Sequence, residues 1–277
     1  MEWWQALVLG IVQGLTEFLP VSSSGHLMMF KELLGVDAEG FLDFTVTVHF
    51  ATVLSTIIVC WSVIWNLLKG LFKWRYNDQT DYILKLIVSM IPIGIVGLFF
   101  KDAVEGLFAD NLFTVGVCLI ITAVLLAVSD QSFRWTSPKG SSVSEEEDKG
   151  PRNGISYLQA FIVGLGQSFA VMPGLSRSGT TIATGLICGV KREKMAQFSF
   201  LMVLAPIVGE QMLDIIKDFG APSAAGVGAV PLLFGFVGAF LAGLFSCKAM
   251  IAIVKKAKLI WFSIYCLIAA AAIFIFA

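Results

Sequence analysis

The sequence predicts an all-α integral membrane protein of six transmembrane helices and two re-entrant helical hairpins, arranged as an inverted-topology repeat. Three observations carry this reading. The first is composition: 57% hydrophobic residues, 14% charged residues and a mean hydropathy of +0.84 leave too little polar surface for a water-soluble globule of 277 residues. The second is a self-similarity in which Gln5, Ala6, Gly10, Gln13, Ser22, Ser24 and Gly25 recur as Gln159, Ala160, Gly164, Gln167, Ser176, Ser178 and Gly179. The third is the gathering of Lys and Arg in alternate loops.

Each copy of the repeat is an apolar helix that breaks at a proline, Pro20 or Pro173, and a Ser/Gly cluster, followed by a shorter apolar piece. A helix interrupted in this way suits a re-entrant hairpin better than a full crossing. The first twenty residues carry Glu2 but no Lys or Arg and hold one repeat copy, so they read as part of the mature fold and not as a removable signal. Spanning helices need about 20 mostly apolar residues. Stretches that qualify run from about Phe44 to Leu68, Tyr82 to Phe100, Leu112 to Ser129, Met195 to Ile215, Val227 to Cys247 and Leu259 to Phe276.

Basic residues gather at Lys69, Lys73 and Arg75, at Arg134, Lys139, Lys149 and Arg152, at Lys191, Arg192 and Lys194, and at Lys248, Lys255, Lys256 and Lys258. Acids dominate the remaining loops, as at Asp37, Glu39 and Asp43 or at Asp102, Glu105 and Asp110. With both hairpins re-entrant, all basic loops fall on the cytoplasmic side and both termini fall outside. An odd number of spans separates the hairpins, so they enter from opposite faces. The domain organisation expected is a first repeat over 1–130, a polar cytoplasmic linker over 131–153 and a second, inverted repeat over 154–277.

The net charge of −1 gives no support for nucleic-acid binding, and the five cysteines lie scattered in apolar segments without metal spacing. Chemistry concentrates in the repeat copies, which differ where function would require it. Glu17 aligns with Val171, Ser23 with Arg177 and His26 with Thr180. Gln13 and Glu17 share a helix face, and a carboxylate in an apolar run must be compensated by a cation, a proton or the guanidinium of Arg177. A purely structural pairing of Glu17 with Arg177 is the plainer reading. The clusters Ser22, Ser23, Ser24, Gly25 and Ser176, Arg177, Ser178, Gly179 have the character of anion cradles, in which small residues expose backbone N–H groups before a helix N-terminus. The planar fork of Arg177 matches phosphate oxygens. His26 follows its break directly and can serve as acid, base or nucleophile, whereas His49, deep in the first span, reads as a packed hydrogen-bonder.

The stretches Gln13 to His26 and Pro173 to Thr181 resemble the two signature motifs of the bacterial undecaprenyl-diphosphate phosphatases of the bacitracin-resistance type, and the similarity extends along the chain through the 193–206 segment. The resemblance implies removal of the terminal phosphate of a long-chain prenyl diphosphate lipid, which recycles the carrier for cell-wall synthesis. It further implies a divalent cation (Mg²⁺ or Ca²⁺), a multi-pass protein of the bacterial inner membrane and a site opening to the outer side. Residue by residue, it makes Gln13 and Glu17 the metal and diphosphate motif and puts Glu17, Ser23, His26 and Arg177 at catalytic positions. Ser22, Ser24, Gly25, Ser176, Ser178, Gly179 and Thr181 then form the substrate-binding set. Gln13 stands where other members carry Glu, so one carboxylate of the motif is lacking. The nucleophile stays open among Ser23, His26 and an activated water. A transporter or flippase of a polyprenyl phosphate lipid is the rival reading, because broken helices in inverted repeats also build carriers. A pure scaffold fits poorly with intramembrane Arg, Glu and His. Membrane lipid is an expected neighbour, nucleic acid is not, and a homodimer is compatible with the sequence.

Overall fold

The computed structural model describes residues 1–37, 40–100, 112–136, 151–204, 227–256 and 258–276. Among these residues there is no strand. Helix α1 (Trp3–Phe18) opens on a capping box between Glu2 and Gln5 and ends at Leu19, whose extended backbone is the conformation forced on a residue before proline. After Pro20 the chain re-enters a helix as α2 (Ser23–Leu33), capped by Ser22. Helices α3 (Phe41–Val59) and α4 (Trp61–Leu71) follow, then α5 (Asp78–Phe99) and α6 (Leu112–Thr136). A single 3-10 turn (Arg152–Gly154) precedes α7 (Tyr157–Phe169) and α8 (Arg177–Ile187). The chain is helical again through 192–204 (α9), and ends in α10 (Ala229–Lys256) and α11 (Ile260–Phe276).

Equivalent contacts recur at the two repeat segments. Ser156 and Gln159 form the capping box of α7 as Glu2 and Gln5 do for α1. The Gln5 amide donates to the Leu34 carbonyl at the end of α2, and the Gln159 amide to the Cys188 carbonyl at the end of α8, at 2.9 and 2.8 Å. Helix α1 packs on α10, and α7 packs on α5, so each broken segment lies against a long helix from the other half of the chain. Small residues make this possible: a Cβ on Gly10 would sit 2.2 Å from the Gly235 carbonyl oxygen, and one on Gly164 2.1 Å from that of Ser89.

Among the described residues, three helical stretches are long and apolar enough to cross a membrane, namely Asp78–Gly97, Leu112–Ser132 and Ala229–Val254. They agree with the crossings expected over 82–100, 112–129 and 227–247. The crossing expected over 44–68 is instead a bent pair, α3 and α4 meeting at 72°. The turn falls at Cys60, whose N–H still bonds the Thr56 carbonyl while its own carbonyl starts a new ladder to Val63 and Ile64. The turn lets α4 lie along the start of α5, where Asn77 Nδ2 donates to the Gly70 carbonyl. Helix α11 is apolar but shorter, and the 195–215 crossing is described only as far as 204.

Parts of the segment expected as a polar linker over 131–153 belong to the packed fold. Its first residues, 131–136, continue α6, and 137–150 lie outside the described residues. Its end is docked onto a buried ion pair, because polar groups withdrawn from water must find partners. Lys85 Nζ donates to Asp81 Oδ2 and to the Arg152 carbonyl, and Asn153 Nδ2 donates to the same Asp81 oxygen at 2.9 Å. Tyr76 and Tyr157 donate their hydroxyls to Asp81 Oδ1 at 2.7 and 3.0 Å. The largest apolar cluster, including Phe18, Ile182, Leu186, Met195, Phe198, Met202 and Met250, joins segments from both halves beside this network.

The close helix approaches are directly testable. Gly10→Val or Gly164→Val drives a side chain into the backbone of the facing helix, an overpacking worth about 1–3 kcal/mol or more, and should lower the melting temperature of the solubilised protein. Gly94→Ala, whose Cβ meets nothing within 4 Å, should leave it unchanged or raise it, since alanine gains roughly 1 kcal/mol of helix propensity over glycine. Equal melting temperatures for all three would contradict the packing described.

Candidate active site

The two broken segments meet. Ser22 caps α2 by accepting the Gly25 N–H, and Ser176 caps α8 by accepting the Gly179 N–H, at 3.3 and 3.1 Å. Across the junction the Gly174 N–H donates to Ser24 Oγ at 3.3 Å, and Ser178 Oγ donates to the Leu19 carbonyl at 3.1 Å. The Ser176 N–H reaches Thr122 Oγ1 on α6 at 3.1 Å. Ser22 is held at a φ of +69°, in a region that a residue with a side chain occupies at a cost. Two helix N-termini thus open at one junction, where their unpaired N–H groups and dipoles favour an anion.

Glu17 forms the polar centre beside this junction. Its Oε2 accepts hydrogen bonds from Ser23 Oγ at 2.6 Å and from Gln13 Nε2 at 2.8 Å, and His49 Nε2 lies 3.7 Å away. Glu17 and Arg177 line one cavity of about 30 Å³, together with Thr52, Thr56, Ser178 and Ser199. Thr181 Oγ1 pairs with Ser199 Oγ at 2.6 Å and is bound to the Arg177 carbonyl, which ties the start of α8 to α9. This arrangement offers a carboxylate, a hydroxyl bonded to it, a guanidinium and two helix N-termini close together. Such a set can bind and polarise a phosphoryl group and accept a proton.

The sequence-derived residues divide into three groups. Glu17, Ser23, Gln13 and Arg177 surround the cavity or bond to a group that does. Ser22, Ser24, Gly25, Ser176, Ser178, Gly179 and Thr181 build the junction, with their hydroxyls engaged in the caps and cross-links already described. His26 stands apart: Nδ1 is 2.7 Å from the Ser22 carbonyl and Nε2 is 2.8 Å from the Tyr265 hydroxyl, so the ring is turned toward α11 and away from Glu17. With Nδ1–H donating to Ser22, Nε2 accepts from Tyr265. His26 therefore braces the strained Ser22 backbone.

Sequence reasoning leaves His49 and Tyr265 out of the site, as it does Thr52, Thr56 and Ser199 of the cavity wall. His49 had a legible signal, since Thr45, His49, Thr52 and Thr56 recur at i, i+4, i+7 and i+11 and form one polar stripe on an apolar helix. The His49 ring is oriented by Nδ1, 2.8 Å from the Thr45 carbonyl. Tyr265 had no such signal, as only the tertiary fold brings α11 to His26. Among the described residues no group of three His, Cys, Asp or Glu side chains could hold a metal ion. Gln13 Oε1 is buried without a hydrogen-bond partner among the described residues, and so are both amide atoms of its repeat counterpart Gln167 and Thr180 Oγ1.

Known proteins match this chain along its length. The profile of the family described as "Bacitracin resistance protein BacA" covers residues 6–272. A protein of Parabacteroides distasonis named "Undecaprenyl-diphosphatase" is 52% identical, the match covering 97% of this chain and 96% of the relative. One of the same name from Bacteroides thetaiotaomicron is 50% identical over 99% of both chains. One from Methanococcus vannielii is 38% identical over 95% of this chain and 96% of its own length. With a match of this extent, and with both signature stretches meeting at a single junction, the chain belongs to the bacitracin resistance protein family, and it is a multi-pass, all-helical membrane protein.

Proposed function

We infer that this protein hydrolyses undecaprenyl diphosphate to undecaprenyl phosphate and inorganic phosphate, so returning the lipid carrier to cell-wall synthesis. The relatives named for this activity support the reaction. The observation on this chain that carries it is the pairing of Glu17 with Arg177 on one cavity, which the start of α8 lines and beside which Ser23 at the start of α2 bonds Glu17. The chemistry follows from the groups present. Arg177 and the N–H groups of the two breaks hold the terminal phosphate and stabilise the charge that develops on it. Ser23, already donating to Glu17, attacks the terminal phosphorus as Glu17 takes its proton, and the anhydride oxygen leaves with the lipid monophosphate. Water then displaces Ser23 Oγ, which recovers its proton from Glu17, and inorganic phosphate departs. A water activated by Glu17 in the place of Ser23 is the second reading, and the same hydrogen bond supports it. His26 orients the Ser22 break.

The donors fit a hard divalent cation, Mg²⁺ or Ca²⁺. Gln13 Oε1, orphaned beside Glu17, and the Glu17 carboxylate are oxygen ligands of the kind such ions take. With a single carboxylate, this pair would share the ion with the diphosphate oxygens. When bound, the cation supplies charge neutralisation on the diphosphate.

The topology proposed is six spans with two re-entrant hairpins in inverted repeats (1–130 and 154–277), in the bacterial inner membrane, with both termini and the site facing outward. The basic loops and the recurrent contacts of α1 with α10 and of α7 with α5 support it. A long-chain prenyl diphosphate is the substrate class, since apolar helices surround the junction, and a homodimer is compatible with this arrangement.

Phosphate release from undecaprenyl diphosphate by the purified protein tests the reading and separates a hydrolase from a lipid carrier. Arg177→Lys keeps the charge but loses the bidentate fork, and should lower turnover at least about 10²-fold; near-normal hydrolysis would remove the clamp role. Glu17→Gln should cost about 10²-fold or more, with added metal giving no full rescue. Ser23→Ala should match that loss if the serine is the nucleophile, and retained turnover would assign the attack to water. For topology, single cysteines placed in a background freed of native ones should react with an impermeant thiol reagent in intact cells at Asp37 and be shielded at Lys73. The reverse labelling would overturn the orientation.

A further inference from the structure

Helix α4 and the turn after it present a surface that the hydrolytic reading does not use. Trp61, Trp65, Leu68 and Phe72 recur at i, i+4, i+7 and i+11 and so share one face, with exposures of 54, 46, 38 and 71%. Gly70 lies on the opposite side, buried against α5, where a Cβ would sit 2.3 Å from the Gln79 side chain. The apolar face therefore points outward because the small face is the one that packs. Three cations border it: Lys69 Nζ stands 5.4 Å from the Trp65 ring centroid, and Lys73 and Arg75 are exposed in the following turn. Between Trp61 and Asn77 there is no acidic residue.

The turn is built and not merely permitted. Trp74 is held at a φ of +49° and is 91% exposed, an unfavourable backbone for a bulky residue that here keeps its indole in the open. Backbone bonds from Lys73 and Trp74 to the Gly70 and Leu71 carbonyls, at 3.3 Å each, and the anchoring of Tyr76 on Asp81 at 2.7 Å hold it there. Tryptophans beside lysines are what the membrane interface favours, and clustered cations attract anionic headgroups there. An acid-free apolar face on a membrane protein, rimmed by cations, is complementary to a lipid and not to a mixed-charge protein surface.

We propose that α4 and the turn through Arg75 form a docking site for an anionic phospholipid, with Trp61, Trp65 and Phe72 against its acyl region and Lys69, Lys73 and Arg75 on its phosphate. This surface shares none of the residues that line the Glu17–Arg177 cavity, so the proposal stands or falls independently of the phosphatase reading. Native mass spectrometry of the full-length protein released from detergent, with phosphatidylglycerol or phosphatidylcholine added, should show preferential retention of phosphatidylglycerol. The preference should fall roughly fivefold for each cation removed in K69Q, K73Q and R75Q, and should weaken as salt is raised before release. Equal retention of both lipids, or a phosphatidylglycerol preference unchanged in the folded triple variant, would overturn the proposal. Displacement by millimolar inorganic phosphate would do the same, by identifying a free-phosphate site. If the triple variant fails to fold, the salt series on the unaltered protein decides, and a salt-independent preference would overturn it.

Discussion

A chain that breaks its helices inside an apolar medium must satisfy the backbone groups it frees, and in this protein the two breaks do so partly on their own serines and partly on each other. Nothing in a lipid core replaces water as a hydrogen-bond partner, so an isolated break at such a depth would cost several kcal/mol for each unpaired group. Ser22 and Ser176 cap the helices that follow, and Ser24 and Ser178 carry the links between the segments. The packing of α1 on α10 and of α7 on α5, with its glycine contacts, sets the two segments where these bonds can form. The candidate site and the scaffold are therefore one construction, since the hydroxyls that stabilise the breaks belong to the residues proposed to bind phosphate.

The same constraint explains why the charged groups lie where they do. A carboxylate on an apolar helix costs about 2.5–3.5 kcal/mol on insertion scales unless compensated. Glu17 is compensated by hydrogen bonds from Ser23 and Gln13, with His49 Nε2 3.7 Å away and the Arg177 guanidinium lining the same cavity. These donors on a single oxygen fix the orientation of the carboxylate, a condition for proton acceptance beside an anionic substrate. Near the start of α5, Asp81 and Lys85 meet the requirement in another way, by closing on each other and on the end of the linker. One buried charge cluster is open to a cavity and the other is sealed, a division that assigns chemistry to the first and anchoring to the second.

Much of this was legible in the chain. The apolar composition, the proline-interrupted repeat and the intramembrane Glu and Arg predicted a helical membrane protein whose active groups gather at two breaks, because each is a local property of residue type and spacing. The polar stripe of α3 was also legible, yet a lone histidine on an apolar helix has a bland explanation, and only its distance from Glu17 gives it another. Local pattern did not reveal the bend at Cys60, where neither glycine nor proline marks the turn and the packing of α4 on α5 determines it.

What the sequence by itself determined was the solvent of the fold, the place of the breaks and the candidates for reactive side chains, since hydropathy, proline chemistry and residue type act within a few positions of the chain. Only the tertiary structure decided which of those side chains face one another. Ser23 and His26 lie three residues apart, close to one turn of the same helix, and nothing in their spacing says that one bonds Glu17 while the other turns to Tyr265 on the last helix. That choice is made by α11, which enters the site from more than two hundred positions away. Side-chain direction inside a packed protein is set by the partners that packing supplies, and those partners are distant in sequence.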